Sequence, residues 1–174
     1  MTTLRELEDV LDHNENLAQG ATMKLSWCHN RLAIGSSREA DEESAASLVQ
    51  KFHDAGVTHL INCRRNQVHA KSLDVLNGVV ILWNPVEDDG QPKPPEWFGR
   101  SIDFALGALA NPHHRVCVSC CNGDNRAPST ALAILLAQGL TFDEALRLVL
   151  KARPEAEVCY RQDALTTVRL LGYC

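Results

Sequence analysis

Between Cys120 and Arg126 the chain runs Cys120-Cys121-Asn122-Gly123-Asp124-Asn125-Arg126, a tight polar segment between two apolar ones. Before it stands RVCVSC (115–120), which reads as a buried strand, and after it APSTALAILLAQG, which reads as an apolar helix. A strand that turns through such a loop into a helix can curl its backbone N–H groups around an anion. The helix N-terminus adds partial positive charge at the same point. Cys120, at the loop entrance, is expected to lose its proton easily there, because that field favours the thiolate. Arg126, six residues on, can close the bowl with a planar, two-pronged grip on phosphate oxygens. A nucleophile and an oxyanion clamp thus share one loop. The plain alternatives are a buried cysteine ending a strand and an arginine in a surface ion pair, and Gly123 between the two weighs against both. Asp124 and Asn125 on the rim are either substrate contacts or simple turn residues. Cys121 is either packing or a thiol open to oxidants.

Several elements must hold this loop. Leu4, Leu7, Val10 and Leu11 fall at helical spacing and predict a lead helix over 4–17. Leu32–Ile34 reads as a short strand closed by Gly35. Ser36 or Ser37 is expected to cap a helix that stops at Gly56. The apolar, β-branched runs THLINC (58–63) and VVILWNPV (79–86) are strands of a buried sheet. The segment between them, QVHAKSLDVLNG, reads as a loop or short helix. Residues 87–95, EDDGQPKPP, are irregular because Gly90, Pro92, Pro94 and Pro95 break regular structure. A helix follows from about Glu96 to Ala110. TFDEALRLVLKARP and YRQDALTTVRLLG supply two more after the loop's own helix. Strands alternating with helices give an α/β class: a central, mostly parallel sheet flanked by helices. Residues 1–24 are assigned to an N-terminal helical extension and 25–174 to one catalytic domain.

Composition narrows the function classes. The chain has 174 residues, 45% hydrophobic and 22% charged, enough to bury one core without disulfide or metal staples. A net charge of -5 argues against a general nucleic-acid binder. The seven cysteines form no regular framework, which suits a reducing compartment, and Cys117, Cys120 and Cys121 lack partners at zinc-finger spacing. No run reaches membrane-span length and the N-terminus has no signal-peptide core, so a soluble, cytoplasmic protein is expected.

Cys120-x-x-Gly123-x-x-Arg126, with its strand before and apolar helix after, resembles the signature loop of the cysteine-dependent protein tyrosine phosphatases. The dual-specificity branch is the most similar, and the resemblance spans roughly residues 30–172. NRLAIGSSREAD looks like that family's first strand and turn, THLINC like its next core strand, and LTFDEALRLVLKARP like the helices after the loop. The resemblance implies catalysis by Cys120 and Arg126, with Cys121, Asn122, Gly123, Asp124 and Asn125 around the substrate phosphate. It also implies a general acid about thirty residues upstream, where Pro85-x-x-Asp88-x-Gly90 is similar to the acid loop. Asp88 is favoured. Asp89 is the alternate, because Asp-Asp-Gly with prolines, like Arg126-Ala127-Pro128, is similar to the phosphatases of regenerating liver. An ordinary turn is the competing reading of this pair. Cys63 could serve as a redox partner of Cys120 or simply pack in the core. Neither a metal nor an organic cofactor is implied.

Two positions depart from the family pattern: Ser119 where a histidine is usual, and Ala127 where a hydroxyl residue is usual. Slow turnover is the expectation, with loss of the hydroxyl slowing breakdown of a phosphoenzyme more than its formation. The implied partner is a phosphorylated protein. Phosphoinositide or RNA 5′-phosphate substrates are alternatives, as is a module that binds phosphate without catalysis. Arg64, Arg65 and Lys93 are a basic rim or a solvated face. Trp83 and Trp97 are expected to anchor the acid loop, and His113 and His114 to be solvated turn residues.

Overall fold

A computed structural model describes residues 23–36, 45–65 and 73–173. The expected lead helix over 4–17 lies outside the described residues. Six strands form one sheet: β1 (Lys24–His29), β2 (Leu32–Ser36), β3 (His59–Asn62), β4 (Leu73–Leu76), β5 (Val79–Trp83) and β6 (Val116–Cys120), in the order β1-β2-β6-β3-β5-β4. The pairs β2–β6, β6–β3 and β3–β5 are parallel, and the two edge pairs are antiparallel. The helices are α1 (Ala45–Asp54), α2 (Pro95–Leu109), α3 (Arg126–Ala137), α4 (Phe142–Ala152) and α5 (Arg161–Leu170). Among the described residues, no helix is long and apolar enough to cross a membrane.

Alternation along the strands divides the core between the two faces of the sheet. Leu32, Ile34, Ile61, Leu82, Val116 and Val118 pack with side chains of α2, α3, α4 and α5. Ala33, Leu60, Ile81 and Cys117 pack with Leu48, Val49 and Phe52 of α1. The two-sided burial of the central strands is why they read as continuous apolar runs. Helix α3 is buried on all sides from Arg126 to Leu136, and each of its leucines and isoleucines contributes about 1.5–3 kcal/mol by leaving water.

Three segments differ from the sequence reading. Residues 73–76 form β4, where a loop or short helix was expected over 67–78. Asn77 and Gly78 both take positive φ (49° and 79°), the geometry of a two-residue hairpin turn that pairs β4 with β5. Strand β1, not anticipated at all, forms a hairpin with β2. Strand β2 runs past Gly35, because Gly35 and Ser36 continue the parallel pairing opposite Ser119 and Cys120. Ser36 therefore closes β2 and does not cap α1, while Ser37 lies outside the described residues. Gly56 stops α1 as expected, at φ +86°.

Because β2, β6, β3 and β5 run parallel, the segments leaving their C-terminal ends gather on one edge of the sheet, where ligands bind in open α/β folds. Register sets the level: Asn62 of β3 lies opposite Ser119 of β6 and Trp83 of β5. Cys63, Asn84 and Cys120, the next residue in each case, thus stand side by side. This packing is tight at Gly35, where an added Cβ would lie 2.9 Å from the Cys117 Sγ and 3.0 Å from Phe52. Gly35→Ala is expected to cost about 1–3 kcal/mol by overpacking. A urea midpoint equal to that of the native chain would refute the contact.

Candidate active site

The site begins where β6 ends. Cys120 is the last strand residue and Arg126 the first residue of α3, so Cys121–Asn125 must reverse the chain over the helix N-terminus. The Gly123 N–H points back to the Cys120 Sγ at 3.2 Å, and the Ala127 N–H is also directed to that sulfur. Cys120 itself is only 1% exposed. Gly123 adopts φ +76°, and an added Cβ would lie 2.6 Å from the Arg153 Nη2. Only glycine fits both demands.

Arg153 is among the largest fully buried side chains. Its guanidinium donates to the Lys24 carbonyl (3.3 Å) and reaches Glu155 (3.4 Å), which also pairs with Lys24. The chain between α4 and α5 then laces to the loop. Glu157 and Val158 donate their amides to the Asp124 carbonyl at 3.0 and 3.2 Å, and the Cys159 amide reaches the Asn125 side chain at 3.4 Å. Asp124 and Asn125 thus serve as loop braces, while Asn122 is exposed.

Arg126 is strapped across three strand ends. Its Nη1 donates to the carbonyls of Cys63 and Val86, both at 3.2 Å. Its Nε stands 3.5 Å from Asp88 Oδ2, an ion-pair contact without a hydrogen bond. Asp88 accepts a 2.7 Å bond from the Tyr160 hydroxyl, which in turn accepts from the Gly90 amide at 3.1 Å. Asp89 is engaged by Lys93 and the Gln91 amide. Lys93 is buried over the Tyr160 ring, 4.6 Å from its centre, and its amide donates to Asp163. It therefore forms no part of a basic rim. Below the loop, Trp97 and Asn84 exchange bonds at 2.9 and 2.8 Å, and Trp83 donates to the Arg64 carbonyl.

A cavity of about 250 Å³ opens beside this junction, lined by Arg64, Arg65, Glu87, Asp88, Cys121 and Arg126. Asp88 lines it and Asp89 does not.

No protein-family model matches the chain. Among solved structures, human DUSP28 superimposes with a TM-score of 0.67 at 25% identity, covering 84% of this chain and 94% of that one. A mouse putative dual specificity phosphatase complexed with zinc tungstate gives 0.66 at 25%, covering 84% and 87%. The fold is that of the dual-specificity phosphatases. PTPMT1 in complex with PI(5)P shares that fold at 14% identity, with a TM-score of 0.62 over 85% of this chain and 99% of that one.

On the dual-specificity phosphatase fold, the electrostatics of this chain's loop differ from the sequence expectation. Burial pushes the Cys120 thiol above its ordinary value. The Ala127 amide, the Arg126 charge and the Gly123 amide pull it down, and the Asp88 carboxylate adds to the rise. Burial prevails, so the thiol lies above its ordinary value where the sequence led us to expect it below. Ser119, buried beneath the loop, supplies no positive charge to reverse this. Cys63 is fully buried; burial first and Cys120 second push its thiol up, and Thr130 hydrogen-bonds it. Among the described residues no group of His, Cys, Asp or Glu is arranged to hold a metal ion.

Sequence reasoning missed Tyr160 and Arg153, and set Lys93 on a basic rim or a solvated face where the structure buries it against Tyr160. Tyr160 is buried, and burial together with its bond to Asp88 pushes its hydroxyl up to about 12. His114 also departs from a purely solvated role, stacking on His59 with ring centres 4.6 Å apart.

These charges define an alkylation experiment at Cys120, read by peptide mass against pH. The native inflection is expected above the ordinary thiol value of 9.0. Asp88→Asn removes a repelling anion and shifts it down; Arg126→Ala removes an attracting cation and shifts it up. An inflection unmoved by both changes would break the assigned coupling.

Proposed function

We propose that this chain hydrolyses phosphate monoesters through a phosphocysteine. The observation that carries the reading is the convergence on one sulfur of the Gly123 and Ala127 amides and the Arg126 charge. Asp88 approaches from a separate loop and is the carboxylate that both touches Arg126 and lines the cavity. Cys120 releases its proton to solvent and attacks phosphorus as the thiolate, forming the S–P bond as the P–O bond breaks. Asp88 protonates the departing oxygen. Arg126 and the loop amides hold the three non-bridging oxygens as charge builds on them. Asp88, now ionised, takes a proton from water as water attacks phosphorus, and the thiolate departs.

Tyr160 acts on this chemistry through Asp88. Its hydroxyl fixes one carboxylate oxygen, leaving the other toward Arg126 and the cavity. Asp89, tied to Lys93, is the weaker choice of acid. Cys63 is adjacent in register to Cys120 and suits a resolving thiol by position. Phosphotyrosine, phosphoserine or phosphothreonine in a protein, phosphoinositides and RNA 5′-phosphates all present the monoester the loop would take. The expected cytoplasmic setting agrees with cysteines that form no disulfide framework.

A second reading, phosphate binding without turnover, is favoured by the upward push that burial gives the Cys120 thiol, together with Ser119 and Ala127. Single-turnover hydrolysis of phenyl phosphate separates the two. Cys120→Ser is expected to abolish the phenol burst, and Asp88→Asn to slow it by about 10²–10⁴-fold. Ala127→Ser should accelerate the following phase. Tight binding of phosphate with no burst from the native chain would leave only the binding module. Tyr160→Phe keeps the ring under Lys93 and is expected to slow phenyl phosphate several-fold while sparing an activated aryl ester, whose leaving group needs less protonation. Equal slowing of both esters would contradict a role through Asp88.

A further inference from the structure

Asp88 and Asp89 are neighbours in the chain, yet they go to different cations. Asp88 stands 3.5 Å from the Arg126 Nε and lines the cavity, whereas Asp89 accepts from the Lys93 ammonium and from the Gln91 amide. The Lys93 side chain is 3% exposed and that of Asp89 48%. A lysine on a surface loop ordinarily lays its stem on the protein and keeps its ammonium in water. Here the ammonium is withdrawn, and a buried ion pair adds little stability over apolar side chains of similar volume. Stability is therefore a poor account of why a lysine occupies this position.

The contacts of Lys93 converge on the group that holds Asp88. Its ammonium lies 4.6 Å from the centre of the Tyr160 ring, whose face attracts a cation. The hydroxyl of that ring donates to Asp88 at 2.7 Å and accepts from the Gly90 amide at 3.1 Å. The Lys93 amide donates to Asp163 at 3.0 Å, which ties the lysine to the first turn of α5. Tyr160 is fixed from the other side as well, because its amide donates to the Ser129 hydroxyl of α3 at 3.3 Å. One ammonium thus binds Asp89 and covers the ring that reaches Asp88, and Asp88 is left to Arg126.

We propose that Lys93 is a positioning residue that sorts the two carboxylates, holding Asp89 away from the cavity and Asp88 beside Arg126. The inference rests on the phosphatase reading for what Asp88 does there, and on these contacts for where it stands. Lys93 touches no substrate in this assignment; it acts through Asp89 and Tyr160.

The test is Lys93→Met, which keeps an apolar stem over Tyr160 and leaves Asp89 free to meet water. Alkylation of Cys120 against pH reads the placement of Asp88 without requiring turnover. The Asp88 carboxylate raises that thiol, so letting Asp88 drift away is expected to move the inflection down. Loss of a cation by itself would move it up, so the direction separates the two effects. In an Asp88→Asn background the downward shift should vanish. Asp89→Asn, on a half-exposed side chain, loosens Lys93 from the other end and must also give a shift that depends on Asp88. That keeps the test decisive if Lys93→Met fails to fold. In hydrolysis, Lys93→Met is expected to slow phenyl phosphate about tenfold, part of the roughly 10²–10⁴ that a positioned acid supplies, while sparing an activated aryl ester. An inflection that stays in place or rises, or equal slowing of both esters, overturns the role of Lys93. A downward shift that depends on Asp88, in a chain without turnover, upholds the positioning and defeats the enzyme. Turnover with no such shift does the reverse.

Discussion

A left-handed turn with a buried guanidinium against its back is the constraint from which the site follows. At Gly123 the chain has to bend through φ +76° where no side-chain atom can stand, because Arg153 occupies that space. The bend aims the Gly123 amide at Cys120 and presents the Asp124 carbonyl to Glu157 and Val158. Arg153 in turn reaches the carbonyl of Lys24, at the start of β1, and Glu155 beyond α4. The first hairpin, the 120–126 loop and the α4–α5 connection therefore form one unit. A cation taken out of water is costly unless matched, and here a carboxylate and a carbonyl supply the match.

The same closeness that shapes the loop raises the cost of ionising its thiol. Cys120 lies at the head of a helix buried on every side, where amides favour the thiolate but solvent is absent. Arg126 contributes attraction, yet it also holds Asp88 nearby, and that carboxylate repels the sulfur's charge. Ser119 and Ala127 matter in this balance for what they lack. One has no cationic ring and the other no hydroxyl, so backbone dipoles and a single arginine carry the whole stabilisation.

How much of this was legible in the chain depended on sequence separation. Cys120, Gly123 and Arg126 lie within one strand–loop–helix passage, so residue type and spacing disclosed them together. The prolines and glycine at 90–95 marked the irregular loop that carries Asp88 for the same reason. The sequence favoured Asp88 over Asp89 from the spacing of Pro85 and Gly90, but the contacts that distinguish the two were beyond it: Tyr160 lies 72 residues from Asp88, and Lys93 is buried beside Asp89. Strand β4 was missed despite a local signal: Leu73-Asp74-Val75-Leu76 is too short to show a period, and the weight of Asn77-Gly78 was underestimated. Strand β1 was missed because Ser26 and Cys28 interrupt its apolar character, though both faces are buried by tertiary contacts.

The two halves of the site are held by bonds of different kinds. The 120–126 loop grows from β6 and α3, elements whose amides are satisfied by sheet and helix in the centre of the core. The 87–94 segment has no ladder of its own; side chains of Tyr160, Asp163 and Lys93 hold it, at a surface where Glu87, Asp88 and Asp89 meet water. Opening free energies should divide accordingly. Amides of α3 would exchange with deuterium only through global unfolding, whereas those of 87–91 would exchange through a local excursion that frees Asp88 and leaves the loop around Cys120 intact. A molecule entering the cavity would then displace one carboxylate-bearing loop and leave undisturbed the part of the protein that is hardest to refold.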